Sequence, residues 1–257
     1  MKGDRIAVVT GAGRGIGRSS ALALADLGFR VAVTARSRDE LQAVVEEIES
    51  TGRTAMAIAD DLADPQAIDR LIGQVEDSWG TVEVLVNNAG IGSSQRPLPL
   101  VDFDDTFWDL TFAVNVTAPY RLTKRVLPGM LQGNWGRVIN IASINARVAS
   151  LHGAAYTASK HALAGLTKAT AKEVEGTGIT ANAVCPGVTA TQLNDKRLEY
   201  DSQRLGKSFQ QLESEASPLG RRITPEEVAF TVAFLADEQA TAINGQMINV
   251  CGGTVVQ

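Results

Sequence analysis

Tyr156 and Lys160 stand four residues apart in Tyr156-Thr157-Ala158-Ser159-Lys160, within an Ala-rich stretch that reads as a helix. Positions i and i+4 share one helix face, so the phenol and the amine point the same way. Ser143 ends the run Val138-Ile139-Asn140-Ile141-Ala142, which reads as a strand. These three groups suit chemistry at a carbonyl. Reducing a ketone needs a hydride on carbon and a proton on the developing alkoxide. A phenol has an ordinary pKa of ~10, too high for efficient proton exchange near neutrality. A neighbouring ammonium favours phenolate, and lowering the pKa by about three units takes about 4 kcal/mol. Lys160 and a positively charged nicotinamide in a partly dry site would supply that. Ser143 can donate a hydrogen bond to the oxygen where charge develops.

A hydride needs a carrier, and the start of the chain is suited to bind one. A strand expected at 5–9 runs into Thr10-Gly11-Ala12-Gly13-Arg14-Gly15-Ile16-Gly17 and then into a helix. Glycines let the chain turn sharply and let a diphosphate approach bare N–H groups at a helix N-terminus. The spacing is TGxxxGxG rather than the commoner dinucleotide pattern GxGxxG. A second strand ends Val33-Thr34-Ala35-Arg36-Ser37. An acid about 20 residues after the glycines would serve the ribose hydroxyls of NAD. Here the position is Ala35, followed by Arg36. The Arg36 and Arg14 guanidiniums and the Ser37 hydroxyl suit a ribose 2′-phosphate, so NADP(H) is expected, with NAD(H) as the alternative.

The elements that must position these groups alternate along the chain. Strands are expected at 5–9, 30–34, 54–58, 82–86, 137–141, 179–184 and 246–250. Helices are expected at 15–27, 38–50, from the cap Asp64-Pro65, mostly across 106–130, at 155–174, and after Thr224-Pro225-Glu226-Glu227. Leu41, Val44, Val45 and Ile48 mark one buried helix face. Such alternation implies a doubly wound α/β sheet of the Rossmann type, about seven parallel strands between two helix layers, in a single domain over 1–257. Two stretches break the rhythm, a Gly/Ser/Pro-rich loop at 91–102 and a long polar segment at 188–222. The second leaves from the end of the sixth strand, where ligands bind, and is expected to be a substrate lid.

In this order the motifs resemble the short-chain dehydrogenase/reductase family from Val8 to Gly253. The family has TGxxxGxG at Gly11, Gly15, Ile16 and Gly17, an Asp-Val/Leu pair matched by Asp61-Leu62 (Asp60 is adjacent), and NNAG at Asn87, Asn88, Ala89 and Gly90. It has a serine and YxxxK matched by Ser143, Tyr156 and Lys160, and a helix asparagine matched by Asn115. The resemblance implies that Lys160 also holds the nicotinamide ribose and meets solvent through Asn115, and that Asn87 braces the sheet. Pro186-Gly187-Val188-Thr189-Ala190-Thr191 resembles the segment that binds the nicotinamide carboxamide through the backbone at Thr189 and the hydroxyl at Thr191. The stretches 182–187 and 249–253 look like those of bacterial polyketide ketoreductases, and 3-oxoacyl reductases and hydroxybutyrate-type dehydrogenases share most of these residues.

The substrate is expected to meet Ser143, Ile144, Asn145, His152, Tyr156, the loop 91–98 and the lid. His152 is expected to touch substrate without carrying protons, and His161 to be a packed helix residue. The leading expectation is an NADPH-dependent ketoreductase of 3-oxoacyl, polyketide-like or other partly apolar carbonyls. Alternatives are an NAD-dependent secondary-alcohol dehydrogenase and a dinucleotide-sensing protein without catalysis, which would have no need of Asn115, Ser143, Tyr156 and Lys160 together. The chain has 257 residues, net charge -5 and only Cys185 and Cys251 as cysteines. The acidic balance disfavours nucleic acid and anionic membranes, two isolated thiols give no disulfide framework, and no metal-ligand spacing is visible. The start Met1-Lys2-Gly3-Asp4 and its short apolar run resemble no leader, so a cytoplasmic location is expected. Small residues along the Tyr156 helix (Ala158, Ala162, Ala164, Gly165, Ala169, Ala171) and the family resemblance imply a homodimer or homotetramer.

Overall fold

The computed structural model describes residues 5–256. The expectation about a leader falls on residues 1–4, outside the described residues. Strands β1 (Ile6–Thr10), β2 (Arg30–Ala35), β3 (Ala55–Ala59), β4 (Val82–Asn87), β5 (Gly136–Ile141), β6 (Ile179–Pro186) and β7 (Met247–Val250) form one sheet. Its order is β3-β2-β1-β4-β5-β6-β7, and every neighbouring pair is parallel. The fold is therefore the single Rossmann-type domain that the alternation implies.

The strands are apolar because helices cover both faces. On one face α1 (Gly15–Asp26), α2 (Arg38–Ser50) and α9 (Pro225–Ala236) pack over Ala7, Val9, Val31, Val33 and Val84. On the other, α3 (Ala67–Trp79), α5 (Ala118–Gln132) and α6 (Ala154–Glu173) pack over Ile6, Val8, Ala32 and Val82. The alternation of Ala7 and Val9 with Ile6 and Val8 is the period-two pleat of β1. Each buried Leu, Ile or Val contributes about 1.5–3 kcal/mol.

Most ends follow local rules. Thr224 caps α9 in a capping box with Glu227, and Pro225 takes the first turn, where its missing N–H costs nothing. Asp64-Pro65 does not open α3 directly. Asp64 accepts from the Gln66 N–H at 2.9 Å in a turn, and the helix starts at Ala67. The stretch expected to be mostly helical across 106–130 is so, in three pieces: α4 (Asp105–Phe112), a π-helical turn Ala113–Thr117, and α5. The segment 188–222 holds two further helices, α7 (Gln192–Leu205) and α8 (Phe209–Ser214).

Candidate active site

The sheet order reverses between β1 and β4, and the chains leaving these two strands part there to open a crevice. Thr10 and Asn88 tie the edges together. The Thr10 hydroxyl accepts from the N–H groups of Asn88 and Ala89 at 2.9 and 3.0 Å. The Asn88 amide donates to the carbonyls of Thr10 and Gly11 at 2.8 and 3.1 Å. Asn88 is thus a brace for the glycine loop, and its amide is already engaged. Asn87, one residue earlier, donates to Asn140 at 2.8 Å and bridges β4 to β5.

The crevice is a cleft of about 1270 Å³. The end expected to take the adenosine is lined by Gly11, Arg14, Gly15, Ile16, Arg36, Ser37, Asp61 and Leu62, with Ala89 and Gly90 beyond them. This end fits a dinucleotide on its own geometry. A Cβ on Gly17 would overlap the Gly11 carbonyl and the Asn88 amide, so only glycine lets α1 begin that close to the loop. Gly15 has φ +54, a conformation glycine adopts without strain. Arg14 occupies the N-cap of α1 with no side-chain cap, which leaves the leading N–H groups for an anion. Arg36 is exposed. Arg14 differs from expectation: its Nη1 donates to Glu40 at 3.0 Å, so its charge is already shared. Ser37 accepts from the Glu40 N–H at 3.4 Å as the cap of α2. Asp60 is bound by Arg70 at 2.8 and 2.7 Å, and that guanidinium holds its carboxyl below the usual range. Asp61 is the less engaged of the two acids.

At the other end, β5 delivers Ser143 and α6 delivers Tyr156 and Lys160 to the cleft wall. Ser143 Oγ accepts from the Asn145 N–H at 3.0 Å and lies 3.3 Å from Asn145 Oδ1. Lys160 is buried and donates to the Ile141 carbonyl at 2.7 Å, with its Nζ 5.6 Å from the Tyr156 ring centroid. Burial pushes the lysine down to about 8. The phenol departs from the sequence argument. Burial raises Tyr156 above its ordinary value, and a hydrogen bond with Ser143 opposes that rise. The lysine turns its charge onto a backbone carbonyl, so the ammonium alone does not lower the phenol.

Asn115 sits fully buried in the π-helical turn. Its Oδ1 accepts from the Ile91 N–H at 2.8 Å, and its amide donates to the Ile91 carbonyl and the Ser159 hydroxyl, both at 3.0 Å. It clamps the chain beyond Gly90 to α6. π-turns concentrate at functional sites, but nothing in the local sequence signals this one. Ser159, one residue before Lys160, and Arg147 likewise carry no local sequence signal of their roles. The Arg147 guanidinium donates to Asn249 at 3.1 Å and to the Met247 carbonyl at 2.9 Å, tying the Ser143 loop to β7.

Pro186, Gly187, Thr189 and Thr191 line the cleft where β6 ends. Gly187 packs on Cys251, Thr189 donates to the Gly187 carbonyl at 3.0 Å, and Thr191 caps α7. The segment 188–222 then runs over the cleft, with Leu193, Leu198, Leu205 and Leu212 lining it. Leu193 packs on Gly92 in the facing loop. Arg222 braces the segment from within, at 2.5 Å from Asp195 and 2.7 Å from Glu213. Ile144 and Asn145 line the cleft, but His152 does not. Held at φ +56, it turns its Nδ1 to the Tyr200 hydroxyl of α7 at 2.5 Å. His161, expected to be packed, is exposed on α6, and its Nδ1 lies 2.9 Å from the Thr157 carbonyl. No group of His, Cys, Asp and Glu among the described residues could hold a metal, and no helix there is long and apolar enough to cross a membrane.

Residues 5–201 match the family model described as short chain dehydrogenase. The chain belongs to the short chain dehydrogenase family. Full-length similarity extends the match. The chain is 36% identical to a D-beta-hydroxybutyrate dehydrogenase of Cupriavidus necator, covering 100% of both chains. It is 38% identical to a putative ketoacyl reductase of Streptomyces coelicolor, covering 97% of each. Among solved structures it resembles a variant of the actinorhodin polyketide ketoreductase with NADPH, with TM-score 0.93 and 37% identity over 98% of each chain. The short chain dehydrogenase fold therefore extends past residue 201 to the last strand.

Proposed function

We propose that the chain reduces a ketone to a secondary alcohol with NADPH, or runs the reverse reaction, with Tyr156 as the proton carrier. The observation that carries this reading is one cleft joining the glycine loop and Arg36 to Ser143, Tyr156 and Lys160. The NADPH carried by the similar ketoreductase structure supports the cofactor, as do an arginine and no acid at the end of β2.

A bound nicotinamide supplies the hydride. The chain's own residues do the rest. Gly11, Gly15, Ile16 and Gly17 receive the diphosphate, Arg36, Arg14 and Ser37 the 2′-phosphate, and Asp61, Leu62, Asn88, Ala89 and Gly90 the adenosine and ribose sides. Pro186, Gly187, Thr189 and Thr191 hold the carboxamide. Ser143 leaves its weak contact with Asn145 and donates to the substrate carbonyl. Tyr156, kept protonated by burial, gives its hydroxyl proton to the oxygen as charge develops there. Lys160 holds the ribose beside it, and Asn115 fixes α6 and the loop after β4 in register. The segment 188–222 acts as the lid, excluding water and presenting leucines to the substrate.

A 3-oxoacyl or polyketide-like thioester is the substrate class this reading favours, given the apolar wall of Leu110, Val114, Ile144 and Leu193. Its test is NADPH oxidation at about 340 nm with an acetoacetyl thioester. Turnover supports it. No turnover by protein that binds NADPH defeats the thioester and turns the search to cyclic ketones and secondary alcohols. The full-length similarity to a D-beta-hydroxybutyrate dehydrogenase favours a second reading, NAD-dependent oxidation of a 3-hydroxy acid. Tighter binding of NADH than of NADPH would favour it. A homodimer or homotetramer working in the cytoplasm belongs to the same proposal. It draws on the exposed Tyr120 and Leu131 of α5 and on Gly165 of α6, where a Cβ would meet nothing.

A further inference from the structure

The two arginines at the adenosine end are not equivalent. Arg36 is exposed and has no hydrogen-bond or ion-pair partner among the described residues. Arg14 is joined to Glu40 at 3.0 Å, with 59% and 37% of the two side chains still exposed. Glu40 is held from two sides. Its N–H donates to the Ser37 hydroxyl, which fixes it on the first turn of α2. Its side chain lies against Gly13, where a Cβ would come within 2.9 Å of Oε2 and 3.0 Å of the Glu40 Cβ. Gly13 is the loop glycine that TGxxxGxG does not require, and room for Glu40 is its use here. Glu40, Gly13, Arg14, Arg36 and Ser37 all line the same end of the cleft.

We propose that Glu40 is a specificity-determining residue for the cofactor, holding Arg14 so that a ribose 2′-phosphate meets Arg36 outright and Arg14 only in exchange for the carboxylate. The proposal rests on the NADP(H) reading. A carboxylate beside the ribose works against a phosphate and leaves a hydroxyl uncharged and unopposed. The preference for NADPH over NADH is therefore narrower than two free arginines would make it. The acid absent at Ala35 arrives from the next helix, five residues later, where its effect runs through Arg14.

The test is equilibrium binding of NADPH and NADH to the protein without substrate, read by nicotinamide fluorescence. Four proteins are compared: the parent, Glu40→Gln, Arg14→Gln and the double variant. Glutamine keeps the side-chain length and the capping position on α2. Glu40→Gln is expected to tighten NADPH about three- to fivefold, the upper part of the range for an exposed ion pair, and to leave NADH within about twofold. In the Arg14→Gln background the same change is expected to give no tightening, since the coupling is the quantity measured. Unchanged or weaker NADPH binding in Glu40→Gln overturns the proposal. So does an equal shift for both cofactors, which marks a merely structural role, or equal tightening with and without Arg14. A parent protein that prefers NADH defeats the NADP(H) reading instead. Glu40 is still judged then, because its effect is read as the change in the ratio of the two constants.

Discussion

Lys160 is buried with its Nζ on the Ile141 carbonyl, and burial pushes its pKa down to about 8. Below that pH the lysine is charged in both the folded and unfolded states, and folding bears the full cost of burying the charge. As pH rises from about 8 toward the ordinary lysine value, the folded state releases its proton first. The unfolded state then holds more protons, so stability contributed by this group rises with pH. Urea denaturation of the parent and Lys160→Met should show the difference moving toward the parent by roughly 2 kcal/mol between pH 8 and 10. A constant difference would mean the lysine titrates normally. Tyr156→Phe removes the proposed proton carrier and little packing. Turnover should fall at least about 100-fold while NADPH affinity changes little. Retained turnover would move the proton to another group.

Helix ends and their ties decide how the site is held. Thr224 and Glu227 exchange two hydrogen bonds at the start of α9, at 2.8 and 3.3 Å. Thr224→Ala should cost about 1 kcal/mol and lower the melting temperature by a few degrees, measured by thermal denaturation. Helix α7 is clasped to the loop before α6 at two points. One is the contact of His152 with Tyr200. The other is Arg197, which donates to the Leu151 carbonyl at 3.1 Å and to Asp201 at 2.8 Å. If 188–222 is the substrate lid, Tyr200→Phe should raise KM for the ketone several-fold while the NADPH dissociation constant stays put. Equal effects on both would mean that α7 serves the cofactor instead.

Across the molecule, the candidate site and the buried Arg137 sit at opposite ends of the sheet. The cleft lies where β1, β4, β5 and β6 end. Arg137 lies where β5 begins, fully buried, its guanidinium on the carbonyls of Gly136, Gly178, Asp237 and Glu238 at 2.9 to 3.5 Å. Burial lowers its pKa, and the ring of carbonyls is what replaces its hydration. Arg137→Met leaves those oxygens without their donor. It should destabilise the fold by about 3 kcal/mol in denaturant titration and leave NADPH affinity of the folded protein unchanged. A matching loss of affinity would tie the two ends together.

Local rules made much of this legible. The period-two run of β1, the buried stripe of α2 and the box at Thr224 depend on neighbours in the chain, and each stands where the spacing puts it. Glycine and YxxxK spacing likewise carry the two ends of the cleft. What the sequence could not express are partners distant in the chain. The family resemblance picks out Asn115, but its partners appear only where the π-turn aims it at Ile91 and Ser159, 24 and 44 residues away. Arg14 reads as a free cation until α2 brings Glu40 to it, 26 residues on. His152 reads as substrate-facing until Tyr200, 48 residues on, takes its nitrogen. The direction of the Tyr156 shift depends on how dry the site is and where Lys160 spends its proton. Residue order therefore determined the fold, the family and the spacing of the candidate reacting groups, because these follow from periodicity and fixed spacing. The tertiary structure alone decided which charges are free, because desolvation and ion pairing are set by contacts between segments that the chain keeps far apart.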